Sequence, residues 1–309
     1  MNDANMADNP LTKLSIRTGV VREPALGILL AADPDKEQNE ELHTHFFKWK
    51  VGTFSAGAFN FSAHTACEIR EPRTAIVMVA SQGEFCAAAT GGIEYGNIFS
   101  NSQPEPKDER FGSFRSVATI AGKAHAVGLR GMVYRLDEWV RWARIDEGLP
   151  RMFDIEAIDG FDETGGFDDT ELYAVGLRGA MWERTPRSWE RRDMPTNIHL
   201  NAVTCAGDGT VYIGGYKGLL LRGRHDAWTV IEHDAFAADI WDLEWFDGVL
   251  YVSTLAGVYR LKNDRLEPVD FGQESPPSTY QLSAAEGVLW SIGRRDVLSF
   301  DGRQWTRVV

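Results

Sequence analysis

Residues 201–232 read NAVTCAGDGTVYIGGYKGLLLRGRHDAWTVIE, and four segments follow one another within them. Asn201 to Cys205 is a short apolar run, Gly207-Asp208-Gly209 turns, and Thr210 to Gly214 returns. Gly215-Tyr216-Lys217-Gly218 turns again into a third run from Leu219 to Arg222, and Trp228 to Glu232 makes a fourth. Short apolar runs separated by glycine-rich turns describe an antiparallel four-stranded meander. The plan repeats immediately in Ile240 to Trp245, the Asp247-Gly248 turn, Val249 to Ser253, Gly257 to Leu261, and Leu266 to Val269. Asp-Gly between apolar runs is a strong hairpin signal, because both central residues of a type I′ turn need positive φ.

The residue closing the second turn recurs along the chain as Gly92, Gly131, Gly179, Gly218, Gly257 and Asp296, at intervals of 39, 48, 39, 39 and 39. A period near forty with strands inside each unit belongs to propeller blades rather than to helical solenoids. The interval of 48 is explained by an insertion from Phe161 to Thr170 between two strands. Upstream, Gly57 followed by Ala58-Phe59-Asn60-Phe61 fits the template, with Gly27 to Ala32 as a first strand, Asp33 to Glu41 as a lengthened loop and Cys67 to Ile69 as the fourth strand. The expected fold class is therefore all-β, a single-domain β-propeller over residues 12–309. Clear repeats span 75–309, a degenerate blade occupies about 25–72, and residues 1–11 form a flexible amino terminus. Counting the degenerate copy gives seven blades, the preferred reading; without it there are six. Leu14 to Val21 is available to join a blade and help close the ring.

Two aromatic columns accompany the repeat. Six positions before the marker stand Tyr173, Tyr212, Tyr251 and Trp290, with His125 and Cys86 completing the set. Eight to ten positions after it stand Trp139, Trp189, Trp228 and Trp305, at the expected start of each outermost strand. Aromatic side chains of this size bury roughly 150–250 Å² each, enough to supply much of the contact between neighbouring blades.

With 32 basic against 45 acidic residues, the 309-residue chain carries a formal charge of −13, which repels phosphate backbones and anionic lipid. Nucleic acid and membrane surfaces are accordingly not expected as partners. No apolar run approaches the length of a membrane span. Cys67, Cys86 and Cys205 show no paired spacing, and Met1 to Pro10 lacks the basic start and apolar run of a secretory signal, so a cytoplasmic location is expected.

Charge is distributed unevenly over the repeat. Basic residues occupy the turn between second and third strands in four copies: Arg130, Arg178, Lys217, and Arg294 with Arg295; in the other copies the same turn is expected to carry Ala56, Gly91 and Ala256. In a propeller these turns emerge on one face. The turns between first and second strands, on the opposite face, carry Asp162, Glu163, Asp168, Asp169, Asp208, Asp247 and Glu286. Blade-connecting loops on the basic face also bring Asp146, Glu147, Asp154, Asp193, Asp234 and Asp239. Solvated hairpin turns are ordinarily charged; the sharper expectation is that the basic turns dock an acidic protein partner.

The runs Gly128 to Trp139 and Gly215 to Trp228 share an order of glycine, apolar residues, Asp and Trp that resembles Asp-box and photosystem-assembly-factor-like propeller repeats. Ser299-Phe300-Asp301-Gly302-Arg303-Gln304-Trp305 is similar to the Asp-box itself, one residue short. That resemblance, over residues 75–309, implies a fold shared by sialidases, assembly factors and binding proteins, and does not itself imply an activity. Most copies lack the full Asp-box pattern.

Catalytic and metal motifs are weak. His43 and His45 alternate so that both imidazoles fall on one strand face, with His64 in reach, but no Cys or carboxylate stands at zinc spacing; the loop 162–169 does not match a calcium-binding pattern. Neither a cofactor nor a metal is expected. The residues favour a non-enzymatic scaffold for a protein partner, including an immunity or antitoxin-like inhibitor of a bacterial toxin. The alternative is a propeller-type hydrolase or lyase with Asp154, His199 and Asp239 projecting into a polar channel.

Overall fold

The computed structural model describes residues 10–103, 112–161, 171–185 and 188–309. They form seven antiparallel sheets arranged as a ring. Blade 1 is β1 (Ser15–Glu23), β2 (Leu26–Ala32), β3 (Thr44–Lys50) and β4 (Thr53–Phe59), with a short helix α1 (Pro34–Gln38) between β2 and β3. Blade 2 is β5 (Ala63–Ile69), β6 (Ala75–Ala80), β7 (Glu84–Ala89) and β8 (Gly92–Asn97). A two-residue strand, β9 (Ser102–Gln103), pairs parallel with the outer edge of blade 3, which is β10 (Phe114–Ile120), β11 (Lys123–Gly128), β12 (Met132–Glu138) and β13 (Arg141–Arg144). Blade 4 is β14 (Ile155–Phe161), β15 (Glu171–Gly176), β16 (Met181–Thr185) and β17 (Ser188–Arg191); blade 5 is β18 (Leu200–Cys205), β19 (Val211–Gly215), β20 (Leu220–Arg224) and β21 (Ala227–Val230). Blade 6 is β22 (Asp242–Phe246), β23 (Val249–Ser253), β24 (Val258–Lys262) and β25 (Arg265–Pro268); blade 7 is β26 (Gln281–Ala285), β27 (Val288–Ile292), β28 (Val297–Phe300) and β29 (Trp305–Arg307).

The first strand of every blade lines the axis, and β1 packs against β26 to close the circle. Each blade is one continuous stretch of chain, so closure rests on packing and on hydrogen bonds between the two ends. Buried apolar clusters fill each interface between adjacent blades. The second-strand aromatic column is the packing position expected of it: Tyr173 meets Trp228, Tyr212 meets Trp245, Tyr251 meets Phe300 and Trp290 meets Trp49. Leu11, at the end of the segment expected to be flexible, is buried against blades 1 and 7, while residues 1–9 of that segment lie outside those described. The inserted loop 162–170 also lies outside them; its flanks Phe161 and Glu171 pair across the hairpin.

Blades 1 and 2 differ from the expected register. Gly27 to Ala32 falls in the second strand of blade 1, because β1 supplies the first. The acidic stretch from Asp33 joins β2 to β3, and Cys67 to Ile69 begins blade 2 rather than ending blade 1. Gly92 opens β8, and the turn equivalent to the others in blade 2 contains Gln82 and Gly83. The physical reason is that neither blade keeps the short basic turn: one replaces it with α1, and the other makes it from Ser81-Gln82-Gly83. In blade 3 the buried outer tryptophan is Trp142; Trp139 lies in the preceding turn with the Arg73 guanidinium 3.3 Å from its ring centroid.

Candidate partner-binding face

The turns joining second to third strands share one geometry in blades 3, 4 and 5. Arg130, Arg178 and Lys217 adopt φ of 64°, 59° and 57°, each followed by a glycine that is also at positive φ. Left-handed backbone suits glycine; for other L-residues it costs about 1–2 kcal/mol. In blades 3 and 5 the conformation is held by bonds to the segments that lead into the next blade. Arg130 N donates to Asp154 Oδ1 at 3.0 Å, Gly131 N to Phe153 O at 2.5 Å, and Lys217 N to Asp239 Oδ1 at 2.9 Å. In each case the acceptor sits at the start of the following blade, so turn and connector are fixed to each other on the same face.

This places the expected channel residues elsewhere. Asp154 and Asp239 cap turn amides, outside the channel wall. His199 precedes β18, and its ring stacks on Tyr216 with centroids 4.5 Å apart; Nε2 lies 3.8 Å from Glu156 Oε1. The two caps stand 24 residues after Arg130 and 22 after Lys217, and without a fixed spacing the sequence carries no signal that separates them from channel-facing carboxylates.

Arg178, Lys217, Arg294 and Arg295 are exposed and Arg130 is half-buried. Of the connector acids, Asp146 is bound by Arg144 at 2.7 Å, and Asp154 and Asp239 are engaged as above. Sequence reasoning missed the apolar part of this face. Met152 is 95 % exposed, Trp241 43 % and Leu255 50 %, and Leu177 and Tyr216 stand exposed beside Arg178 and Lys217. These residues follow one another from the connector after blade 3 to the turn of blade 6. Exposed apolar side chains concentrated on one face, interleaved with cations, form the composition of a protein interface.

The central channel has a volume of about 670 Å³ and a polar wall. Its polar groups mostly tie adjacent first strands together. Thr65 Oγ1 accepts from Val117 N at 3.1 Å, Asp159 Oδ2 from Cys205 N at 2.7 Å, and Asp242 Oδ2 from Leu282 N at 2.9 Å. At the closing seam Gln281 bonds both Gly19 N and Gly19 O, at 2.9 and 3.1 Å, and Ser283 Oγ accepts from Val21 N. Burial raises the Asp159 carboxyl to about 6 and the Asp242 carboxyl to about 7, and it lifts Glu244 well above the usual carboxylate range.

Among the described residues, Glu171, Glu183 and His225 are the group close enough to share a metal. Arg224 binds Glu171 through Nε and Nη2 at 3.0 and 2.7 Å, and Arg192 Nε binds Glu183 at 2.6 Å, so guanidinium groups already neutralise both carboxylates. His43 is likewise occupied, its Nε2 accepting from Asp33 N at 2.7 Å. The cysteines are free; burial pushes the Cys67 and Cys86 thiols up to about 12, away from reactivity. No described helix is long and apolar enough to cross a membrane.

No family model matches the chain. The immune protein Tsi7 of Pseudomonas aeruginosa is 38 % identical over 299 residues, covering 94 % of this chain and 96 % of that protein. Among solved structures, YCF48 bound to D1 peptide aligns with a TM-score of 0.66 at 14 % identity, covering 96 % of this chain and 98 % of that one. Virginiamycin B lyase from Staphylococcus aureus aligns at 0.69 and 10 % identity, covering 93 % and 94 %. The structural likenesses are of fold.

Proposed function

The chain belongs to the Tsi7 family of immune proteins, and we propose on that premise that it is a cytoplasmic, non-enzymatic scaffold that neutralises a protein toxin by capping it. The toxin docks on the face carrying the basic turns. The observation that carries this reading is the repeated use of Arg130, Arg178 and Lys217 at positive φ in consecutive blades. Glycine would make each turn with less strain, and the amide caps bond to backbone rather than to the cationic side chains. A cost repeated in three blades is offset by what those side chains bind. Leu177, Tyr216 and Trp241 beside them supply an apolar centre that loses water on association. The turn at Asp301, whose Oδ1 accepts from Arg303 N and Gln304 N at 2.8 Å, we read as Asp-box-like; it lies with the outer strands of blade 7 and plays no part in docking.

The test is copurification of the tagged chain from its native host, with a stoichiometric protein toxin as the expected partner. The triple variant Arg130→Glu, Arg178→Glu, Lys217→Glu is expected to lose the stoichiometric complex while keeping the wild-type melting temperature within a few degrees. Retention of the complex by the folded triple variant excludes this face as the docking site.

A further inference from the structure

The outer strands of blades 3 to 7 are all four residues long or shorter, and blade 3 covers its own edge with β9. Arg141, Arg144, Glu190, Arg191, Arg265 and Arg307 place charges on these edges. Short, charged or covered edges are how sheets avoid pairing with other chains. Among the described residues, blade 1 has none of these protections. Its outer strand β4, Thr53-Phe-Ser-Ala-Gly-Ala-Phe59, pairs with β3 over seven regular positions, carries no charge, and is exposed from Ser55 to Ala58. At the tip of the same hairpin, Val51 is 70 % exposed at a φ of 48°, an unfavourable conformation for a β-branched residue.

We infer that β4 is a self-association edge, pairing antiparallel with β4 of a second copy of this chain about a two-fold axis at Ala56. The sequence is complementary to itself in that register. Phe54 stands opposite Ala58 of the second copy and Ser55 opposite Gly57, so each large side chain meets a small one across the strand pair. Continuing the register carries each Val51 toward the other copy's Phe61 and Tyr95, which pack together with Phe59 as an aromatic patch; Tyr95 is 57 % exposed. A net charge of −13 opposes self-association in general, but no carboxylate occurs between Glu41 and Glu68. Lys48 and Lys50 of β3 would stand more than about 14 Å from their counterparts, three strand spacings across and offset along the strands, beyond a Debye length of about 8 Å. An edge pairing of this size gives a weak, concentration-dependent dimer. It is independent of toxin docking, because it uses the outer rim of the ring.

Sedimentation velocity over a series from low to high micromolar concentration tests the inference. The wild-type chain is expected to shift from monomer to dimer. Ala56→Lys and Ser55→Lys, which place lysines at and beside the axis, are expected to stay monomeric with unchanged circular dichroism. Thr229→Lys, on the short edge of blade 5, is expected to dimerise like wild type. Backbone amides of residues 53–59 should exchange more slowly as concentration rises. A wild-type chain that is monomeric throughout overturns the inference, as does undiminished dimerisation of both edge variants.

Discussion

Gly27 shows how closely single residues are fitted to the ring. A Cβ built there would lie 2.1 Å from Cη2 of Trp290 in blade 7, so the indole occupies the space that any side chain would need. Trp290→Ala is expected to destabilise by about 3–5 kcal/mol, measured by urea unfolding. Trp305→Ala, at a half-buried position on the last strand, should cost clearly less. The channel carboxylates give a pH signature. An unfolded Asp titrates near 3.9, whereas folded Asp242 titrates near 7. Between about pH 4 and 7 the folded chain keeps a proton that the unfolded chain has lost, so this group's contribution to stability falls as pH rises through that window. Asp242→Asn removes that dependence: the stability of wild type relative to the variant should be greater at pH 5 than at pH 8. An equal difference at both values would show that Asp242 titrates as in the unfolded chain. At this scale the sequence was only partly legible. A carboxylate at the start of a strand reads the same whether it faces a channel or caps a turn 22 residues earlier, and Asp239 does the latter.

Among the elements, the basic turns were the clearest feature of the sequence, because a four-residue motif with glycine at its close recurs at a fixed interval. Blades 4 to 7 keep it or its length, and their strands fell where expected. Blades 1 and 2 lost the motif, and with it the register, because α1 and the Ser81-Gln82-Gly83 turn join the same strands by different local chemistry. Gly92 and Gly57 were false markers for that reason: glycine recurs in other turns and in open outer strands. The turns also permit a separation of stability from binding. Arg178→Gly and Lys217→Gly relieve positive φ at a non-glycine residue, and the second keeps the backbone amide that Asp239 caps. Each is expected to leave stability unchanged or raise it by up to about 1 kcal/mol, as read from thermal unfolding, while weakening toxin binding. A loss of stability would mean that the side chains serve the turn itself.

The whole molecule is held by interfaces between neighbours, and the interface between blades 7 and 1 joins the two ends of the chain. Gln281 satisfies both backbone groups of Gly19 there, and Tyr280 Oη donates to Ile16 O at 2.7 Å. Gln281→Ala leaves those groups without the side chain and should cost about 1–3 kcal/mol, with faster amide exchange in β1 and β26 than in β14 and β18. Uniform exchange across all blades would contradict a seam of this kind. The ring itself was legible because its repeat is a packing requirement. Its exposed apolar arc was legible only in part: Leu177, Tyr216 and Leu255 recur two positions before the markers, but their exposure, and that of Met152 in a connector on the same face, follows only from folding. Hydrogen exchange of the toxin complex tests the central claim most directly. Slowed exchange should concentrate in residues 129–131, 177–179, 216–218 and the connectors around 152 and 241, with the turns at Asp208, Asp247 and Glu286 unchanged; slowing confined to those acidic turns would contradict it.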